Sequence, residues 1–274
     1  SKTNECKRSV ILKLDKQEII GAWDEVISAL KDAIHFFKTS YKIPASKLLP
    51  YDSLLVTFAY FFLRHKESPT LEQRPYLVDF FWRMSLSERY SSAVESRLAQ
   101  DIRRIDRILA GEKPDYQGIQ LRLDGEQALI DTHFSAGASY CKAVMCLLAS
   151  KNPEDFNNGA LVNLDNSFLK PAYRKNYHHF FPKAYLKKKN KSNENSLMNI
   201  TLISDQLNKK EIKTRSPNDY LSEFRKGNEE KFTKTMATHF IDVDSGWLDE
   251  NDYEAFLRHR AKKIYAALKE KMLD

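Results

Sequence analysis

The chain has 274 residues, a net charge of +7 and 42% hydrophobic residues, enough apolar material for one large or two ordinary domains. Its longest apolar runs, such as the one from Leu54 to Leu63, are too short to cross a bilayer, and no signal peptide opens it, so a cytoplasmic protein without a membrane partner is expected. Eight glycines leave no P-loop and no dinucleotide fingerprint, which argues against ATP or GTP chemistry here. Cys6, Cys141 and Cys146 form no C-x-x-C pair and are expected to be reduced and mostly in the core. The chain opens on Ser1 instead of Met, as a fragment of a longer protein would.

Residues 1–15 carry little signal. Gln17 to Thr39 has apolar residues at helical spacing, including Ile19, Ile20, Trp23, Val26, Ile27, Leu30, Ile34 and Phe37. Leu54 to Arg64 and Leu71 to Met84 read as further helices. Glu88 to Ala110 reads as the clearest one, with Val94, Leu98, Ile102, Ile105 and Leu109 on one face and Gly111 as its stop. Thr132 to Ser150 reads as a buried helix. Aromatic residues from Trp23 to Trp82 could stack on bases, but at helical spacing they are expected in a core. The polar segment KNPEDFNNG suggests a boundary between a helical domain, 1–155, and a second domain, 156–274. The fold class expected is mainly α with a small α+β part.

That second part is organised around the stretch from Asn176 to Lys209. His178 and His179 sit in an aromatic run that Pro182 closes, which reads as a short strand. A polar loop follows, then a β-like run around Asn199, Ile200, Thr201 and Leu202. Ser204 and Asp205 offer an N-cap, and a short helix carries Asn208. Residues 166–191 hold eight basic side chains (Lys170, Arg174, Lys175, Lys183, Lys187, Lys188, Lys189 and Lys191) and no acidic one, more than the whole positive excess. Such a patch is the footprint of a polyanion partner. Adjacent residues on a strand face opposite sides, so His178 and His179 share one site only if the chain bends there. His35, His65, His133, His239 and His259 are scattered and are expected to be structural.

The set His179-Phe180-Phe181-Pro182, Asn199-Ile200-Thr201-Leu202-Ile203-Ser204 and Asn208 resembles the HNH, or His-Me finger, nuclease domain of GmrSD-type restriction enzymes, which cleave modified phage DNA. Ser216 to Leu221, the terminal helix FLRHRAKKIYAAL and the helical run with Phe81-Trp82 and Glu88 to Ser91 are similar to other parts of the same family. The resemblance implies a ββα-metal core with C-terminal helices after the helical domain. It implies His179 as general base, His178 and Asn208 as metal ligands, and Asn199 as the residue that braces the loop backbone. Lys183 and Lys209 are candidate phosphate clamps by proximity, with Lys187, Lys188, Lys189 and Lys191 as further DNA contacts, two or three of these four being expected to contribute. Mg²⁺ or Mn²⁺ is the implied cofactor, with Ni²⁺ or Zn²⁺ as alternatives because imidazole favours them. DNA is the implied partner, and an N-terminal sensor or nucleotide-hydrolysing domain is expected outside this sequence. A non-catalytic nucleic-acid-binding module and an RNA nuclease are the competing readings. DVDSGWLDENDY only faintly matches a calcium loop, since Trp247 falls where the turn needs Gly.

Overall fold

The computed structural model describes residues 8–43, 46–164, 177–226 and 228–274. Cys6, Lys170, Arg174, Lys175 and Asn176 lie outside the described residues. Among the described ones the protein is mainly helical with a small two-stranded sheet. The chain divides into two compact units, Ser1–Tyr41 with Leu49–Arg122 and Glu270–Asp274, and Lys42–Leu48 with Leu123–Lys269. The longest segments of the two units meet at Arg122 and Leu123. Helix Ser139–Ser150 packs beside the sheet and against Ser46–Leu48, which draws it into the second unit.

In the first unit, α1 (Arg8–Ile11) and α2 (Lys16–Ser40) are followed by α3 (Asp52–Arg64), α4 (Gln73–Leu86) and α5 (Val94–Leu109). Asp15 caps α2 by accepting from the Gln17 amide at 2.8 Å. Phe36, Phe37, Tyr41, Phe58 and Phe81 pack as a buried aromatic cluster, with Phe37 and Phe58 centroids 4.7 Å apart. These rings are core and not a base-stacking platform, although Trp23 is 59% exposed. The helix expected from Glu88 begins only at Val94, after Ala93 in the left-handed region at φ 49°. Asp101 explains the break. Its fully buried carboxylate accepts from Arg89 Nε and Tyr90 OH, both at 2.7 Å. Residues 11 and 12 apart on one helix would lie about 17 Å apart, so the chain must reverse for these groups to meet.

The second unit contains α6 (Glu126–Asp131), α7 (Ser139–Ser150), β1 (Tyr177–His179), α8 (Lys183–Lys188) and β2 (Ile200–Leu202). A π-helical turn (Leu207–Ile212), α9 (Pro217–Phe224), α10 (Glu229–Ala237) and α11 (Tyr253–Lys269) complete it. The helix expected from Thr132 starts at Ser139. Thr132 and Phe134 instead pair their backbones with Leu197 and Asn195, which holds 132–134 extended. β1 and β2 run antiparallel, with Tyr177 opposite Leu202, His178 opposite Thr201 and His179 opposite Ile200. Directly after β1 the chain dives into the core. Phe180 stacks on Phe256 at 4.7 Å, and Phe181 meets Tyr253 at 5.1 Å. The loop that faintly matched a calcium site is instead wrapped around buried Trp247, whose indole donates to the Asp242 carbonyl at 2.7 Å.

α11 supplies an unusual support. The buried Arg260 guanidinium donates to the carbonyls of Met198 and Ile200 at 2.7 Å and of His239 at 3.0 Å, and it forms no ion pair with a carboxylate among the described residues. Burial lowers its pKa to about 9. His239 is fully buried; its Nε2 donates to the Glu154 carbonyl at 2.7 Å, and burial depresses its pKa from 6.5 to about 3. The unfolded chain therefore binds a proton here that the folded chain refuses. The stability this neutral ring contributes is complete above pH 6.5 and is lost as pH falls toward 3, at up to about 1.4 kcal/mol per pH unit. His239→Gln, which keeps a donor for Glu154, should flatten the acid limb of a urea-stability profile by about that slope; an unchanged limb would place the acid sensitivity elsewhere.

Candidate active site

The β1–β2 pair is regular through both histidines, so the chain does not bend and the two rings leave opposite faces of the strand. Thr201 Oγ1 donates to the His178 carbonyl at 3.1 Å and fixes the strand where the faces diverge.

On one face, His178 is 3% exposed and its Nε2 has no hydrogen-bond partner among the described residues. Asp205 lies close enough for its charge to act on the ring, and its Oδ1 is likewise buried without a partner. Burial lowers the His178 pKa from 6.5 to about 4; the Asp205 charge opposes this, while His179 and Lys209 add to it. Burial wins, so the ring is neutral and keeps a lone pair. Asn208 is half-buried and follows Asp205 by three residues, on the same face of the turn. A π turn begins at Leu207, a feature frequent at functional sites. The helix start is capped by Ser204, whose Oγ accepts from the Leu207 amide at 3.2 Å. Asp205 is thereby freed from the capping role that the sequence offered it.

Among the described residues, no group of three or more His, Cys, Asp or Glu is arranged to hold a metal ion. His178 and Asp205 form a pair of orphaned N and O donors, and Asn208 offers a further oxygen, a donor chemistry suited to a borderline divalent cation. This set fits a metal held partly by the protein and partly by substrate or water.

On the other face, half-buried His179 bonds through Nε2 to Asn195 Oδ1 at 2.8 Å. Burial lowers its pKa; the Asn195 bond opposes this and the Lys183 charge adds to it. Asn195 also reaches His133 Nε2 at 2.7 Å. His133, expected to be merely structural, is thus joined to His179. The 45 intervening residues hid this from the sequence, and Asn195 sat unremarked in the polar loop.

Asn199 is fully buried, and its side-chain amide is bonded to the backbone on two sides. Its Oδ1 accepts from the Phe181 amide at 2.9 Å, and its Nδ2 donates to the carbonyls of Phe181 and Glu194, each at 3.0 Å. The residues after His179 and those before Asn195 are therefore tied to one side chain.

The lysines differ from a free loop. Lys187 and Lys188 end α8 and Lys189 caps it, all three exposed. Lys191 pairs with Glu254 at 2.8 Å, and with Lys189 it lines an open groove that also holds Glu250, Asp252 and Arg258. Lys209 pairs with Asp205. Lys191 and Lys209 are thus already partnered, which weakens them as phosphate contacts. Lys183 stands close enough to His179 for its charge to act there.

Asn199→Ala should cost about 3 kcal/mol or more, since each buried group left unpaired costs about 1–3 kcal/mol. Urea unfolding measures it, and a loss under about 1 kcal/mol would remove Asn199 as the brace.

The chain is similar to the uncharacterized protein MJ0686 of Methanocaldococcus jannaschii, with 27% identity over 267 residues, covering 89% of this chain and 43% of that protein. It thus spans less than half the length of this relative. No family model and no solved structure matches the chain.

Proposed function

We propose that this chain is a metal-dependent endonuclease of the His-Me finger type, cutting or nicking DNA within a phage-defence restriction system that acts on modified DNA. The observation that carries the reading is the pair of buried, unpartnered atoms His178 Nε2, on β1, and Asp205 Oδ1, at the helical turn after β2, with a neutral, half-buried His179 next to His178 in the strand. Two adjacent imidazoles in different surroundings suit two different tasks. His179, kept neutral by burial, can take the proton of an attacking water. His178, dry and uncharged, offers a lone pair from its unpartnered Nε2 when its one proton sits on Nδ1. With Asp205 and Asn208 it would hold a divalent cation, which when bound would stabilise charge on the phosphate and the leaving oxygen. Asn199 keeps the loop after His179 rigid, and Lys183 places positive charge near the same ring.

The test is plasmid nicking by the full chain with Mg²⁺, Mn²⁺, Ni²⁺ or Zn²⁺, and its suppression by chelator. His179→Ala should lower the rate about 100- to 10,000-fold with an unchanged circular dichroism spectrum. DNA binding without nicking under every metal would instead favour a non-catalytic binding module, and cleavage confined to RNA would favour a ribonuclease.

Asp205→Asn should raise the metal concentration for half-maximal nicking by about 10- to 100-fold. An unchanged metal requirement would exclude Asp205 as a donor.

A further inference from the structure

His133, Asn195 and His179 form a continuous chain of hydrogen bonds whose proton positions can be deduced. Asn195 is 9% exposed, and its Nδ2 lies 2.9 Å from the Phe134 carbonyl. A carbonyl can only accept, so the amide nitrogen must face Phe134 and the amide oxygen must face His179. The oxygen can only accept in turn, so His179 Nε2, at 2.8 Å, carries the proton. The second hydrogen on Asn195 Nδ2 points to His133 Nε2 at 2.7 Å. That nitrogen must accept, which places the His133 proton on Nδ1. Backbone bonds hold the whole assembly in register. Phe134 N donates to Asn195 O at 2.9 Å, and Leu197 N donates to Thr132 O at 2.8 Å.

We propose that Asn195 and His133 are positioning residues that lock His179 as its Nε2–H tautomer, leaving Nδ1 as its proton-accepting atom. The link to catalysis rests on the reading of His179 as general base; the tautomer lock itself does not. Both amide hydrogens and the amide oxygen of Asn195 are used, so the side chain cannot flip without losing bonds at each end. The device resembles the orientation of catalytic or metal-bound imidazoles by a partner on the far nitrogen, here with an amide that is itself oriented.

The experiment is ¹⁵N-histidine NMR of the full chain at alkaline pH, with plasmid nicking kinetics alongside. The wild type should give an Nε2–H pattern for His179 and an Nδ1–H pattern for His133. The opposite tautomer at either ring, or averaging of the two forms at His179, would overturn the lock whether or not the chain nicks DNA. In Asn195→Ala the His179 signals should average, and kcat should fall about 10- to 100-fold with KM for DNA unchanged. His133→Leu should lower kcat in the same direction, and His133→Gln, whose amide oxygen can accept from Asn195, should restore most of it. Locked tautomers in a wild type that cleaves no nucleic acid would refute the nuclease reading while leaving the lock standing. An unchanged kcat in a well-folded Asn195→Ala variant that nicks would refute the positioning role.

Discussion

The side-chain amide of Asn199 is the contact on which the second unit depends. It sits in a fully dry position and bonds to both polar backbone groups of Phe181 and to the carbonyl of Glu194. Water cannot substitute for any of these bonds without opening the core. From the opposite direction, Arg260 grips the carbonyls of Met198 and Ile200, the residues on either side of Asn199. A two-stranded sheet with three residues in each strand is a weak structure by itself. Clamped by a buried amide and a buried cation, it becomes a rigid platform for two histidines.

The environments of those histidines follow from strand geometry more than from their own chemistry. Successive residues alternate faces, so one imidazole meets the apolar interior and Asp205, while its neighbour meets a polar shelf built from Asn195 and the 132–134 segment. At His178 the cost of burying a charge outweighs the attraction of a nearby carboxylate, and the ring stays neutral. The aromatic residues after the pair serve as anchors. Phe180 and Phe181 are essentially unexposed among Tyr220, Trp247, Tyr253 and Phe256, and they hold the end of β1 against thermal drift.

Charge around the site is more balanced than the basic count suggests. Lys191 and Lys209 spend their charge on Glu254 and Asp205, both partly exposed pairs worth little in stability. The exposed lysines at the end of α8 retain theirs, so the electrostatic contribution to polyanion binding rests mainly on them and on Lys183.

Much of the architecture was readable from residue order, because periodicity and capping are local. The apolar stripe of α2, the aromatic core of the first unit and the short strand around His178 and His179 all come from spacing within a few residues. What sequence alone missed depends on contacts between distant residues. Asp101 breaks the helix expected from Glu88 by recruiting Arg89 and Tyr90, and pairing with 195–197 keeps 132–134 extended. The roles of His133, Asn195 and Asp205 arise in the same way. Hydrophobic periodicity specifies which face of an element is buried, but a buried polar group is satisfied by whatever the rest of the chain brings to it. Only the folded chain could decide that His179 leans on Asn195 while His178 faces Asp205.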